Sequence, residues 1–249
     1  MYVDDGTGEP ITIYVGGHEP GALAAAAARL RSLGIRAVTV RSPVMTPGWR
    51  GCRECHRLLA TRARADGRYT YVGMEQNVVP TLRYDPQTIR DALHVVRTGM
   101  APLVHLSCLP IPGGLRYHVH GTVMGKLVSR QELSQCMVLS DGVIEDALRL
   151  DVPIDVALSR LGYMKHVTYP TPFQRNLEPS LATPDFNRAG LRVLRQLAFH
   201  PVTYRNLEVL AQHDVAFFGA VLLTVAGLVV ALVCLVRNTG RNGGGQVLR

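Results

Sequence analysis

Residues 215–236, VAFFGAVLLTVAGLVVALVCLV, constrain this chain more than any other stretch. They hold no charged residue, and Thr224 is their only hydroxyl. An α-helix rises about 1.5 Å per residue, so roughly 20 apolar residues cross the hydrocarbon core of a bilayer. Lipid offers backbone groups no partner, and a helix satisfies them internally. A buried core helix is the bland alternative, but such helices are usually shorter, and every face of this one is apolar. A single membrane-spanning helix is therefore expected. Residues 237–249 would form a short basic tail beyond it, and everything before it would be anchored by it.

The N-terminus, MYVDDGTGEP, is acidic and carries no charged-then-apolar leader. Insertion after synthesis is expected, with residues 1–214 on the cytosolic side. Arg195 and Arg205 flank one end of the span and Arg237 and Arg241 the other, so charge does not choose an orientation. The chain has 27 Lys+Arg against 19 Asp+Glu, a formal net charge of +8. That balance favours anionic membrane surfaces or acidic protein partners on the cytosolic face. No basic run interleaved with aromatics marks a nucleic-acid surface, and nucleic acid is not expected as a partner. Small residues four apart in the span, such as Gly227 and Ala231, permit close helix packing but fix no oligomeric state.

Before the span the pattern is α/β. ITIYVG is a short β-rich run, and Pro20 opens the alanine-rich GALAAAAARLRSLG, which stops at Gly34. IRAVTV follows as a second strand. Strand, helix, strand predicts a parallel βαβ unit with a right-handed crossover. ECHRLLATRARA reads as a helix, RYTYVGM and VVPTLRY as strands, and Asp85-Pro86 opens a helix that ends at Gly99. Residues 1–99 are thus expected to form an α/β domain.

Residues 100–169 read as an α+β region. PLVHLSCL and LRYHVHGTV suggest a hairpin whose second arm puts His118 and His120 on one face. Ser129 and Glu132 form a capping box, and GVIEDALRL and DVALSRLGY are helical. Residues 170–214 are expected to be a proline-rich linker followed by amphipathic juxtamembrane helices, with Arg188, Arg192 and Arg195 near anionic headgroups.

Five cysteines form no secreted disulfide framework, and only Cys52 and Cys55 lie close together. Two thiols three apart at a helix start can close a small disulfide. The helix N-terminus would lower the pKa of Cys52 and make it the attacking thiol, with Cys55 resolving the mixed disulfide. The βαβ start, the Trp49 loop before Cys52-x-x-Cys55, and Val79-Pro80-Thr81 together resemble the thioredoxin–glutaredoxin superfamily over residues 11–98. The resemblance implies a thioredoxin-like fold, catalytic Cys52 and Cys55, and a cis Pro80 that faces the dithiol and positions substrate.

Other constellations give other expectations. Cys52-x-x-Cys55-His56 matches the c-type haem pattern, which requires an export leader. Zinc could use Cys52 and Cys55 with His118 and His120, although finger-like spacing is missing. His105-Leu-Ser107 and His166-Val-Thr168 resemble the tetrads of two-histidine phosphoesterases, in which paired imidazoles act as acid and base. His18-Glu19, in a glycine-rich turn, reads as a surface loop. No resident metal or cofactor is expected.

The expected function is a tail-anchored, single-pass membrane protein presenting a basic α/β domain as an interaction or structural module, such as a viral envelope protein. The alternative is a membrane-tethered thiol–disulfide oxidoreductase using Cys52 and Cys55. A two-histidine phosphoesterase is the third reading.

Overall fold

The computed structural model describes residues 2–107, 116–126 and 135–175, together with Thr224 and Gly227. In chain order the elements are β1 (Thr12–Gly17), α1 (Pro20–Ser32), β2 (Arg36–Arg41), α2 (Gly48–Ala65), β3 (Thr70–Glu75), β4 (Val78–Pro80) and α3 (Pro86–Arg97). They continue as β5 (Leu103–His105), β6 (Arg116–His120), β7 (Val123–Lys126), β8 (Cys136–Ser140), α4 (Asp141–Leu148), α5 (Ile154–Arg160), β9 (Lys165–Thr168) and β10 (Phe173–Arg175).

Local chemistry explains the first half. Pro20 sits in the first turn of α1, where a missing N–H costs nothing, and Leu23, Ala26, Ala27 and Leu30 form its buried stripe. Gly34 then takes a φ of 73°, a left-handed conformation that ends the helix and turns the chain into β2. As expected from the sequence, β1 and β2 pair in parallel, with Thr12 opposite Arg36 and Gly17 opposite Arg41. The side chain of Asp85 caps α3 by accepting from the backbone N–H of Gln87 at 2.9 Å.

The fold is α/β, built on one mixed eight-stranded sheet in the order β2-β1-β3-β8-β5-β9-β7-β6. Pairing is parallel at β2/β1, β1/β3 and β5/β9, and antiparallel elsewhere. Every residue of β1 is buried, as a parallel strand covered on both faces requires. One face carries Ile11, Ile13, Val15, Val72 and Met74 under α1 and α3. The opposite face carries Tyr14, Tyr71, Leu103 and Met137 under α2, α4 and α5. Buried polar groups pin the layers together. Tyr14 donates to Asp66 at the end of α2 over 3.1 Å. Asp91 of α3 accepts from the N–H of Thr122, in the β6–β7 turn, over 2.8 Å.

Several expectations are corrected here. The sheet runs without a break across residue 99, because β8 inserts between β3 and β5. The expected hairpin does not form between PLVHLSCL and LRYHVHGTV. β5 lies between β8 and β9, and the hairpin is β6 with β7, turning at Gly121 and Thr122. Within residues 170–184, Phe173–Arg175 is a strand that pairs with β4. The capping box at Ser129 and Glu132 lies outside the described residues, as do the juxtamembrane helices. The expected span at 215–236 does too, apart from Thr224 and Gly227, which are helical. Among the described residues no helix is long and apolar enough to cross a membrane.

The thioredoxin-like fold is also corrected. That resemblance needs the strand of Pro80 beside the dithiol. Instead β4 pairs with β10 in a separate two-stranded ladder, outside the sheet that α2 covers. The cis peptide bonds are Thr46–Pro47 and Tyr169–Pro170, and Val79–Pro80 is not one of them.

Candidate functional site

The chain leaves β1 through α1 on one face of the sheet and returns from β2 through α2 on the other, so that the strand order reverses about β1. Such a reversal splays the loops beyond the carboxyl ends of the strands and opens a crevice, the usual ligand site of α/β sheets. A cleft of about 120 Å³ lies there. Gly16, Gly17 and His18 leave β1 on one side, Glu75, Gln76 and Asn77 leave β3 on another, and residues 42–45 and the first turns of α2 close it. His18, expected on a surface loop, is part of this lining.

Backbone and amide hydrogen bonds fix the rim. The N–H of Gln76 donates to the carbonyl of Gly16 at 2.8 Å, and that of Ser42 to Gly17 at 2.7 Å. The Gln76 side chain reaches back across Gly17 and accepts from the N–H of Glu19 at 3.1 Å. A Cβ at Gly17 would collide with the Gln76 side chain, so a larger residue there would displace that amide from the rim. A Cβ at Gly16 would collide likewise with the Cys55 sulfur. Behind the cleft, Arg53 anchors α2 by donating to Asp151 and to the carbonyl of Leu148, each at 2.7 Å.

Cys52, Cys55, His56 and Glu75 gather at the floor. Cys52 and Cys55 are free thiols, and both line the cleft, as does Glu75. The Cys52 thiol donates to Glu75 Oε1 at 3.4 Å. His56, one turn further along α2 and 3% exposed, lies behind them, and neither of its ring nitrogens has a hydrogen-bond partner. Burial, and then the Glu75 carboxylate beside it, push the Cys52 thiol well above its ordinary value. Burial and Glu75 likewise take Cys55 up to about 12, against a hydrogen bond with Ser42. Burial pushes the His56 imidazole down to about 4. It raises the Glu75 carboxyl as well, against the opposing pull of Arg175. Every group is driven toward its neutral form, because a low-dielectric floor penalises unbalanced charge.

These shifts do not favour the dithiol chemistry expected of Cys52 and Cys55. α2 begins at Gly48, so Cys52 lies beyond the first turn, where the pull of the helix terminus has faded. Its thiolate is disfavoured, the opposite of an attacking thiol. Pro80, the expected substrate-positioning residue, does not line the cleft that holds Cys52 and Cys55.

The remaining histidine constellations come apart in the sheet. His118 and His120 are on β6, at the opposite edge from β2 and far from the cysteines in strand order, so a zinc site joining them is excluded. A bulge between them also breaks their common face, and the His120 ring stacks on His94 at 4.4 Å. The leading histidines of the two tetrads do fall on neighbouring parallel strands, His105 on β5 and His166 on β9. There His105 is in register with Val167. Side chains alternate along a strand, so His105 and His166 project from opposite faces and cannot serve one phosphate. The phosphoesterase expectation is corrected on that parity.

In the sequence His56 stood out only in the haem-like Cys52-x-x-Cys55-His56 pattern, and Glu75 not at all. The signal that would have paired His56 with Cys52 is Cys52-x-x-x-His56, a spacing that puts both side chains on one helix face. Glu75 carried no local signal, since only the packing of α2 on the sheet brings it to Cys52.

The sequence matches no family model and no curated protein. Among solved structures, a glycosyltransferase involved in the glycosylation of the major capsid of PBCV-1 is similar at 11% identity and TM-score 0.41, over 71% of this chain and 97% of that one. A197 from STIV is similar at 9% identity and TM-score 0.41, over 68% and 95%. UDP-glucose pyrophosphorylase complexed with UDP-glucose follows at 8% identity and TM-score 0.36, over 64% and 89%. The thioredoxin-like domain that the expected docking module and tethered oxidoreductase would both present is corrected by the separate β4/β10 ladder; the expected span at 215–236 lies outside the described residues apart from Thr224 and Gly227.

Proposed function

We propose that the chain is an α/β enzyme whose active centre is the crevice beyond β1, β2 and β3, and that it takes a sugar ring there, free or as part of a nucleoside. The lining supports this reading most. It offers a carboxyl (Glu75), two amides (Gln76 and Asn77), a hydroxyl (Ser42) and an imidazole (His18) beside Pro43, Val44 and Met45. Such groups both donate to and accept from vicinal hydroxyls, while the apolar wall packs a ring face. Among the described lining residues there is no Lys or Arg, which disfavours a bare phosphate as the occupant. At about 120 Å³ the cleft is well below the ~300–1,000 Å³ that encloses a drug-sized ligand. It therefore holds one ring, with the rest of a larger ligand lying outside.

Ligand-observed NMR on the full-length, chelator-treated chain tests this with monosaccharides, nucleosides and nucleotide sugars. At least one class should bind, and Ser42→Trp, which fills the cleft, should abolish the signal. Monosaccharides binding alone would assign a free sugar, and nucleosides binding alone would assign ribose. No binding by any class, or binding that survives Ser42→Trp, overturns the proposal.

A further inference from the structure

We infer that Cys52, His56 and Glu75 form a zinc site at the floor of the crevice. The ligand atoms of these three residues all lie within 4.8 Å of one another. Their chemistry is that of zinc: one thiolate sulfur, one imidazole nitrogen and one carboxylate oxygen form a mixed, borderline-soft set that suits neither magnesium nor calcium. Spacing agrees as well. Tetrahedral ligands at about 2.3 Å for sulfur and 2.0 Å for oxygen stand roughly 3.5 Å apart. The Cys52 sulfur and Glu75 Oε1 are 3.4 Å apart.

An independent observation is the imidazole itself. His56 is 3% exposed, and both its nitrogens are buried without a partner. A buried polar atom with nothing to bond is costly, and such an atom in a native fold calls for an explanation. A metal bond supplies one. Cys52 and His56 are four apart on α2, so the helix presents both toward the carboxyl end of β3, where Glu75 completes the set.

Three protein ligands leave a four-coordinate ion one open position, the pattern of catalytic rather than structural zinc. Cys52 and Glu75 line the cleft and His56 lies behind them, so that position opens toward the sugar-binding crevice. Zinc takes the sulfur as thiolate, and the thiol proton leaves to solvent. Cys55, whose sulfur is engaged by Ser42, is not a ligand. The site shares its crevice with the proposed function and gains its catalytic meaning from that reading, yet metal binding is measurable without any sugar.

The test uses the tag-free, full-length chain and Zn(II) or Co(II) alone. One equivalent of Zn(II) should bind, and Co(II) should give a thiolate-to-cobalt charge-transfer band. X-ray absorption on the wild-type zinc protein should show one sulfur among nitrogen and oxygen neighbours. Cys52→Ala and His56→Gln should weaken binding by more than the ~10–100-fold that second-shell partners are worth, while Cys55→Ser leaves it unchanged. No stoichiometric zinc in a folded wild-type chain overturns the site. Two sulfurs at the metal overturn the ligand set in favour of Cys52 with Cys55, and the wild-type spectrum decides even where a variant misfolds. Zinc binding without sugar binding refutes only the crevice assignment, and sugar binding by the chelated chain without zinc binding refutes only this site.

Discussion

Gly16→Ala adds one methyl group where three side-chain atoms already stand. The new Cβ would run into the Cys55 sulfur and would lie 3.2 and 3.3 Å from the two methyl carbons of Leu59. β1 is buried along its whole length and α2 is held from behind by Arg53, so neither side has a free direction in which to yield. Overpacking of this kind costs about 1–3 kcal/mol. In a chain of this size each kcal/mol moves the melting temperature by about 2–4 °C, so a drop of about 2–12 °C is expected. Removing the colliding sulfur should restore most of it. Gly16→Ala/Cys55→Ala should therefore be more stable than the sum of the two single changes predicts, by about 1–2 kcal/mol. Urea denaturation followed by circular dichroism, with an unchanged slope against denaturant, measures the cycle. A Gly16→Ala chain within about 0.5 kcal/mol of wild type, or a strictly additive double variant, would refute the close packing of α2 on β1.

Two further outcomes follow from the charges. Burial alone would raise the Asp5 carboxyl, but hydrogen bonds from Arg97 and Thr7 outweigh it and hold it below its ordinary value. Its stabilisation is therefore present above the unfolded pKa and lost as pH falls through the lower folded one. Asp5→Asn should cost about 1–3 kcal/mol at pH 7, and its gap to wild type should close below about pH 4; a gap that is constant or widens in acid contradicts the pairing. In the metal-free chain at neutral pH, iodoacetamide should label Cys52 more slowly than an ordinary cysteine. Glu75→Gln should speed it, and faster labelling of the wild type would restore the activated thiol.

What the sequence made legible was local. Pro20 and Gly34 bracket α1, and Asp85-Pro86 and Gly99 bracket α3, because caps and breakers act within a few residues. The β1-α1-β2 unit followed from them. β8 was not legible: it pairs with β3 and β5, strands remote in the chain, and nothing within Cys136–Ser140 specifies those neighbours. The two histidine tetrads show the same division. Their leading histidines lie on adjacent strands, yet which face each imidazole takes depends on a one-residue register set only in the assembled sheet. The site divides likewise. Cys52 and Cys55 stood out by spacing, whereas Glu75 became their neighbour only when α2 settled on β1 and β3.

Arg53 has a mechanical consequence. Its guanidinium bolts the cleft-bearing helix to the end of α4 through the Leu148 carbonyl and to the α4–α5 loop through Asp151, with a second strut from Arg64 to Asp141 at 2.6 Å further along. Swinging α2 outward would shear both at once. The helix is thus the fixed jaw of the crevice, and widening it for more than one ring falls to the neighbouring 42–45 segment, where Val44 and Met45 face water at 67% and 40% exposure.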